Sequence, residues 1–206
     1  MTINVHNAAK WYGREIVFRN LSFSFRSGEQ YAILGPNGSG KSTLLLVIGG
    51  YITPNKGAIT YQRSDHQNIP LENIYQYLAI VAPYLELMEE FTLLEQVRFQ
   101  QQFRPFIHGF GPDKIIDVLG LQKHMHKEVR NLSSGMRQRL KLALCILSDA
   151  PLLLMDEPLM NLDHKGQDWF HELVDNYLGN RLAIVCSNRK EEYAFCREQL
   201  LVTDFK

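Results

Sequence analysis

The chain has 206 residues, 45% of them hydrophobic, which suits a single domain with a sizeable core and room for an inserted subdomain. Its 22 basic and 22 acidic residues cancel, so no global field draws it toward nucleic acid or an anionic membrane surface, and any partner must be recognised locally.

In chain order, the first sixty residues read as short strands between turns: INV, then IVFRN and the alternating LSFSF, with turns at Tyr12-Gly13 and Ser27-Gly28. This is an antiparallel β portion. From QYAIL onward the pattern becomes buried strand, glycine loop and helix, the pattern of a parallel α/β core. A mostly helical stretch follows, residues 84–148. Thr92 and Glu95 form a capping box before a helix running through Phe103, Pro112 opens a second helix, and RNLSSG precedes a third. On that third helix Met136, Leu140, Leu144 and Leu147 share one apolar face. Beyond Pro151 come the strand LLLM, a helix around residues 168–178, the strand LAIVC, and a last helix and strand. The predicted organisation is one domain, with residues 1–83 and 149–206 as the α/β core and 84–148 as a helical insert.

Cys145, Cys186 and Cys196 lie in apolar periodic segments without a C-x-x-C pair, which indicates buried, reduced thiols of a cytosolic protein. The start, MTINVHNAAKWYG, lacks a cationic flank and apolar core, and LALCILSDAPLLLM is interrupted by Ser148, Asp149 and Pro151. Neither a signal peptide nor a membrane span is expected.

GPNGSGKST, Gly35 to Thr43, fits G-x-x-x-x-G-K-[ST] and lies between a strand and a helix, as a P-loop requires. Gly35, Asn37, Gly38, Ser39 and Gly40 let backbone N–H groups turn inward around phosphate oxygens at a helix N-terminus. Lys41 is expected to reach the β- and γ-phosphates, Ser42 to offer its hydroxyl to Mg²⁺, and Thr43 to donate to a phosphate oxygen. PLLLMDEP ends an apolar strand with two consecutive carboxylates, Asp156 and Glu157. At the strand's C-terminal end both can reach the phosphate crevice. Asp156 becomes the metal-side carboxylate and Glu157 the group that orients and deprotonates a water. The expected cofactors are ATP and Mg²⁺.

Together with LSSGM at Leu132 to Met136, these residues resemble the ATP-binding cassette (ABC) family along nearly the whole chain. The resemblance implies a P-loop NTPase fold of ABC type. It implies that Ser133, Ser134 and Gly135 head a helix whose N-terminus meets the γ-phosphate on another subunit's P-loop. It implies that Tyr12, with Trp11 as a neighbouring candidate, stacks on adenine, and that Asp163 communicates across a dimer. The implied function is that of a cytoplasmic ATPase subunit, peripheral at the membrane, powering an ABC transporter by head-to-tail dimer closure. Its partners would be a second ATPase subunit, identical or not, and separate transmembrane permease subunits, with no nucleic acid.

Beside the smaller signature departures, Ser134 for Gly and Met136 for Gln, two positions that touch hydrolysis depart from the family pattern. The glutamine expected after YLAIV is absent, with Pro83 or Tyr84 in its place, and Asn188 stands where the family has a histidine. An amide donates a hydrogen bond but carries no titrating proton. Slowed turnover is therefore expected, since loss of one charge-stabilising donor costs about 10²- to 10³-fold. An ATP-gated clamp, the degenerate half of a heterodimer or a non-transport ABC ATPase are the alternatives. Leu85, Leu87 and Phe91 would suit docking of a membrane partner or a subdomain core, and His124 and His126 read as solvated loop residues.

Overall fold

The computed structural model describes residues 1–206, which divide into two compact units. The first comprises residues 1–80, 150–157 and 180–206; the second, residues 81–149 and 158–179. Residues 158–179 thus lie in the second unit, beyond the 84–148 expected for the helical insert.

In the first unit, β1 (Thr2–Tyr12) and β2 (Glu15–Arg26) form a hairpin in which Tyr12 faces Glu15 across Gly13-Arg14. β2 is one twelve-residue strand where the sequence suggests two, because Asn20 adopts φ 53° and absorbs an irregularity without ending the pairing. Asparagine tolerates this left-handed conformation better than most side chains. β4 (Lys56–Gln62) pairs antiparallel with the other edge of β1, and β5 (Asn68–Ile69) completes a four-stranded sheet in the order β2-β1-β4-β5.

The second sheet has the order β6-β7-β8-β3-β9, with β3 (Gln30–Leu34), β6 (Leu78–Val81), β7 (Leu152–Asp156), β8 (Leu182–Cys186) and β9 (Glu198–Leu201). The pairs β7/β8, β3/β8 and β3/β9 are parallel. β7 and β8 are buried at every residue, which explains their unbroken apolar sequences. α1 (Lys41–Ile48) packs against β7 and β8. The core joins the sheets through Phe18, Phe25, Leu44, Leu45, Leu154 and Ile184, all fully buried. Tyr61 is buried as well, with its hydroxyl donating to Ile48 O at 3.0 Å, and burial pushes its phenol pKa well up. A short α6 (Lys190–Tyr193) precedes β9.

The second unit holds α2 (Leu93–Phe103), α3 (Pro112–Leu119), α4 (Ser134–Ile146) and α5 (His164–Tyr177). Each helix start has a local cause. Thr92 and Glu95 exchange capping-box hydrogen bonds at α2, at 2.8 and 3.2 Å, and Pro112 occupies the first turn of α3. Ser133 caps α4 and Asp163 caps α5. The Asp163 cap starts α5 four residues earlier than its apolar periodicity suggests. The helices share buried Leu93, Val97, Ile115, Leu119, Leu140 and Phe170. Arg139 spans this core, with its guanidinium 4.6 Å from the Trp169 ring centroid and donating to Leu119 O. Leu85 is exposed, while Leu87 and Phe91 are half-buried, the Phe91 ring packing on Phe99 at 5.3 Å. No helix is long and apolar enough to cross a membrane.

Candidate functional site

In the first unit an open cleft of about 340 Å³ is lined by Tyr12, Glu15, Val17, Asn37, Gly38, Gly40, Lys41, Ser42, Thr43 and Glu157. That size falls within the range of small-molecule sites. The glycine loop between β3 and α1 forms its floor. A turn closed by Ser39 N donating to Pro36 O at 3.0 Å carries the chain round to Gly40, whose φ is 104°. A side chain at Gly40 would be strained, and its Cβ would lie 2.2 Å from Val17 Cγ1. α1 has neither a side-chain cap nor an acidic residue in its first turn. Its leading N–H groups and positive dipole end are therefore suited to binding an anion in the cleft.

Lys41 is buried, its ammonium donating to Gly35 O at 2.8 Å and Pro36 O at 3.2 Å, so it ties the loop into an arch. Asp156, the last residue of β7, is also buried, and it accepts a hydrogen bond from the Ser42 side chain. Burial raises the Asp156 pKa above the ordinary carboxylate value; the Ser42 bond and Lys41 oppose this shift and Glu157 adds to it. Two buried oxygens in this region, Asp156 Oδ1 and Ser39 Oγ, have no protein partner. A carboxylate and a hydroxyl are hard oxygen ligands, and Mg²⁺ characteristically takes only one or two carboxylates beside phosphate and water. The residues present therefore fit Mg²⁺ held by Ser42 and Asp156.

The raised pKa of Asp156 has a consequence for stability. The folded chain holds this proton more tightly than the unfolded one, so stability falls as pH rises through the elevated value. Asp156→Asn should raise the stability of the metal-free protein by about 1 kcal/mol. Thermal melting in EDTA at several pH values tests this; a lower melting temperature in the variant would refute the electrostatic account.

Glu157 follows β7 with φ 46°, a conformation uncommon for a residue with a side chain, and its N–H donates to Cys186 O at 2.9 Å. Glu157 is exposed and lines the cleft, while the preceding Asp156 is buried. Cys186 is buried with its thiol donating to Lys41 O at 3.4 Å, and desolvation holds its pKa well above normal. Asn188, on the loop after β8, donates from Nδ2 to Asn37 Oδ1 at 2.7 Å. The residue before it, Ser187, is fully buried and donates to the buried carboxylate of Glu192 while accepting from Arg189 N.

The first unit thus gathers Tyr12, the glycine loop, Lys41, Ser42, Thr43, Asp156, Glu157 and Asn188. Tyr12 is half-exposed on the cleft wall, and Trp11 does not line the cleft. Glu15 and Val17, which belong to no sequence motif, line the cleft as well; the hairpin register that sets Glu15 opposite Tyr12 is the signal that places them there.

Ser133, Ser134, Gly135 and Asp163 belong to the second unit. Ser133 Oγ accepts from Met136 N at 3.2 Å, and Asp163 Oδ1 accepts from Gly166 N at 2.8 Å, so both side chains act as helix caps. A Cβ at Gly135 would stand 3.2 Å from Asn161 O, closer than an ordinary van der Waals contact. Ser134 lines a cleft with Pro83, Glu86, Arg137, Lys141 and Asn161. Pro83 and Tyr84, at the position of the missing glutamine, are both exposed.

Residues 18–160 match the family model described as "ABC transporter". The molybdate/tungstate import ATP-binding protein WtpC of Pyrococcus horikoshii is 34% identical over 164 residues, covering 78% of this chain and 47% of the relative. The chain therefore spans about half the length of that relative. Among solved structures, an ABC transporter ATP-binding protein from Pyrococcus furiosus superposes with a TM-score of 0.82 at 19% identity, covering 100% of both chains. The ATP-binding cassette MJ0796, solved as a dimer in a post-hydrolysis state with ADP and Pi, gives a TM-score of 0.81 at 21% identity and covers 97% of this chain and 93% of its own. The structural likenesses establish the fold, a P-loop ATPase with mixed parallel and antiparallel sheets and helical insertions, and the match over residues 18–160 establishes that the chain belongs to the ABC transporter family.

Proposed function

We propose that the chain binds ATP and hydrolyses it as the ATPase subunit of an ABC transporter, working as a head-to-tail dimer. The observation that carries this reading is the single cleft lined by Tyr12, the glycine loop, Lys41, Ser42, Thr43 and Glu157. The triphosphate lies along the loop, held by the N–H groups at the start of α1 and by the Lys41 ammonium. Tyr12 stacks on the base. Ser42 and Asp156 would hold Mg²⁺, which would supply positive charge to offset that of the phosphate oxygens. Glu157 accepts a hydrogen bond from the attacking water and takes its proton as the bond to the γ-phosphorus forms and the bond to ADP breaks.

The partner subunit completes the site with Ser133, Ser134 and Gly135, whose helix N-terminus faces the γ-phosphate. The solved dimer of a cassette with this fold supports such pairing. ATP binding closes the dimer, and hydrolysis with phosphate loss reopens it. Asp163 caps α5 within the segment that would lie nearest the partner, and transmembrane permease subunits receive the motion. The relative named as an import ATP-binding protein supports a place in transport. Turnover is slow, because Asn188 offers an amide to the P-loop tip and no titrating group.

The test is phosphate release measured against protein concentration. Specific activity should rise with concentration as dimers form and drop to background in EDTA. Asn188→His should raise the rate about 10²-fold and add an inflection near pH 6.5. A wild-type rate at background at every concentration would remove hydrolysis from the proposal and leave an ATP-binding clamp.

A further inference from the structure

The first unit contains a buried cation that the proposed chemistry does not use. Lys10, near the end of β1, is only 9% exposed, and its ammonium donates to Thr53 O at 3.0 Å. The same ammonium lies over the ring of Tyr12, 5.1 Å from its centroid. Tyr12 lines the cleft, whereas Lys10 does not. The loop after α1 grips this strand end twice more: Asn55 N donates to Ala9 O at 2.8 Å, and Trp11 N donates to Asn55 Oδ1 at 3.0 Å. A short polar clamp therefore fixes β1 from Ala9 through Trp11, and Lys10 extends it onto the aromatic side chain.

From this geometry we infer that Lys10 is a specificity-determining positioning residue for the nucleotide base. It backs one face of the Tyr12 ring and leaves the other face to a purine. This rests on the reading of Tyr12 as the base-stacking group. Two physical effects follow. A cation on one face draws π density toward itself, so the opposite face repels the π cloud of a stacked base less. A ring already held in place also loses less rotamer freedom when the base arrives. Burial of the ammonium is sustained by the Thr53 carbonyl, and partial desolvation strengthens its attraction for the ring. The rival is that Lys10 only anchors the strand end to Thr53.

The two accounts differ in which part of the nucleotide senses the change. The measurement is calorimetric binding of Mg-ATP and of Mg-tripolyphosphate, which has the phosphates without the base, to the wild-type chain, Lys10→Met, Lys10→Arg and Tyr12→Ala. Lys10→Met should weaken ATP binding about 3- to 10-fold and leave tripolyphosphate within about twofold, and Lys10→Arg should restore ATP binding. The tripolyphosphate arm also reports that the variant is folded. Unchanged ATP affinity in Lys10→Met, or equal weakening of both ligands, would overturn the inference. If Tyr12→Ala weakens ATP alone while Lys10→Met is neutral, Lys10 fails and the stacking role of Tyr12 stands. If Tyr12→Ala also leaves ATP untouched, the reading of Tyr12 fails with it.

Discussion

Glu157→Gln should leave ATP affinity near that of the wild-type chain and lower kcat about 10²- to 10⁴-fold. The two side chains share size and shape, and the backbone carries the unusual part of the geometry, φ 46° with the N–H held by Cys186 O at 2.9 Å. The substitution therefore keeps the turn and removes only the group able to accept a proton. Because binding precedes proton transfer, the loss falls on kcat and not on KM. A dimer closed by ATP should then persist, and size-exclusion chromatography with Mg-ATP should show a dimer that decays in the wild type and accumulates in the variant. An unchanged kcat would move the base to another residue. A matched loss of kcat and ATP affinity would make Glu157 a binding group.

The strongest features of the sequence were local ones. GPNGSGKST sits at the β3–α1 junction and DEP at the end of β7 because each motif encodes its own backbone path, a glycine arch and a strand end. Helix starts at Thr92, Pro112 and Ser133 were legible for the same reason, since capping chemistry depends on three or four adjacent residues. Long-range partners were not legible. Nothing in CSNRK shows that Asn188 reaches Asn37, 151 positions away, and nothing in KWYG shows that Lys10 turns onto Tyr12 while bonding Thr53. Tertiary register decides both. Ser133 and Asp163 illustrate a further limit: one side-chain oxygen that caps a helix within the chain leaves no trace in the sequence of whether a partner chain uses the same helix end.

Lys41→Ala should abolish measurable hydrolysis and weaken ATP binding at least about 10²-fold, because one side chain does two jobs. Its ammonium has three donors, and two go to Gly35 O and Pro36 O at 2.8 and 3.2 Å. Removing it takes the ammonium donor from both carbonyls, leaving Pro36 O only its bond from Ser39 N, and relaxes the arch, while the cleft also loses a positive charge beside Asp156 and Glu157. Phosphate would then approach two carboxylates with one fixed positive charge fewer beside the dipole of α1 to offset them. Lys41→Arg should not rescue binding, since a planar fork cannot reproduce the compact ammonium's bonds to both Gly35 O and Pro36 O inside the arch. Tripolyphosphate should lose affinity as much as ATP, the opposite of the base-selective loss expected at Lys10. Retained tripolyphosphate binding in Lys41→Ala would mean that the N–H groups of the loop carry the anion alone, and that Lys41 serves the arch more than the phosphate.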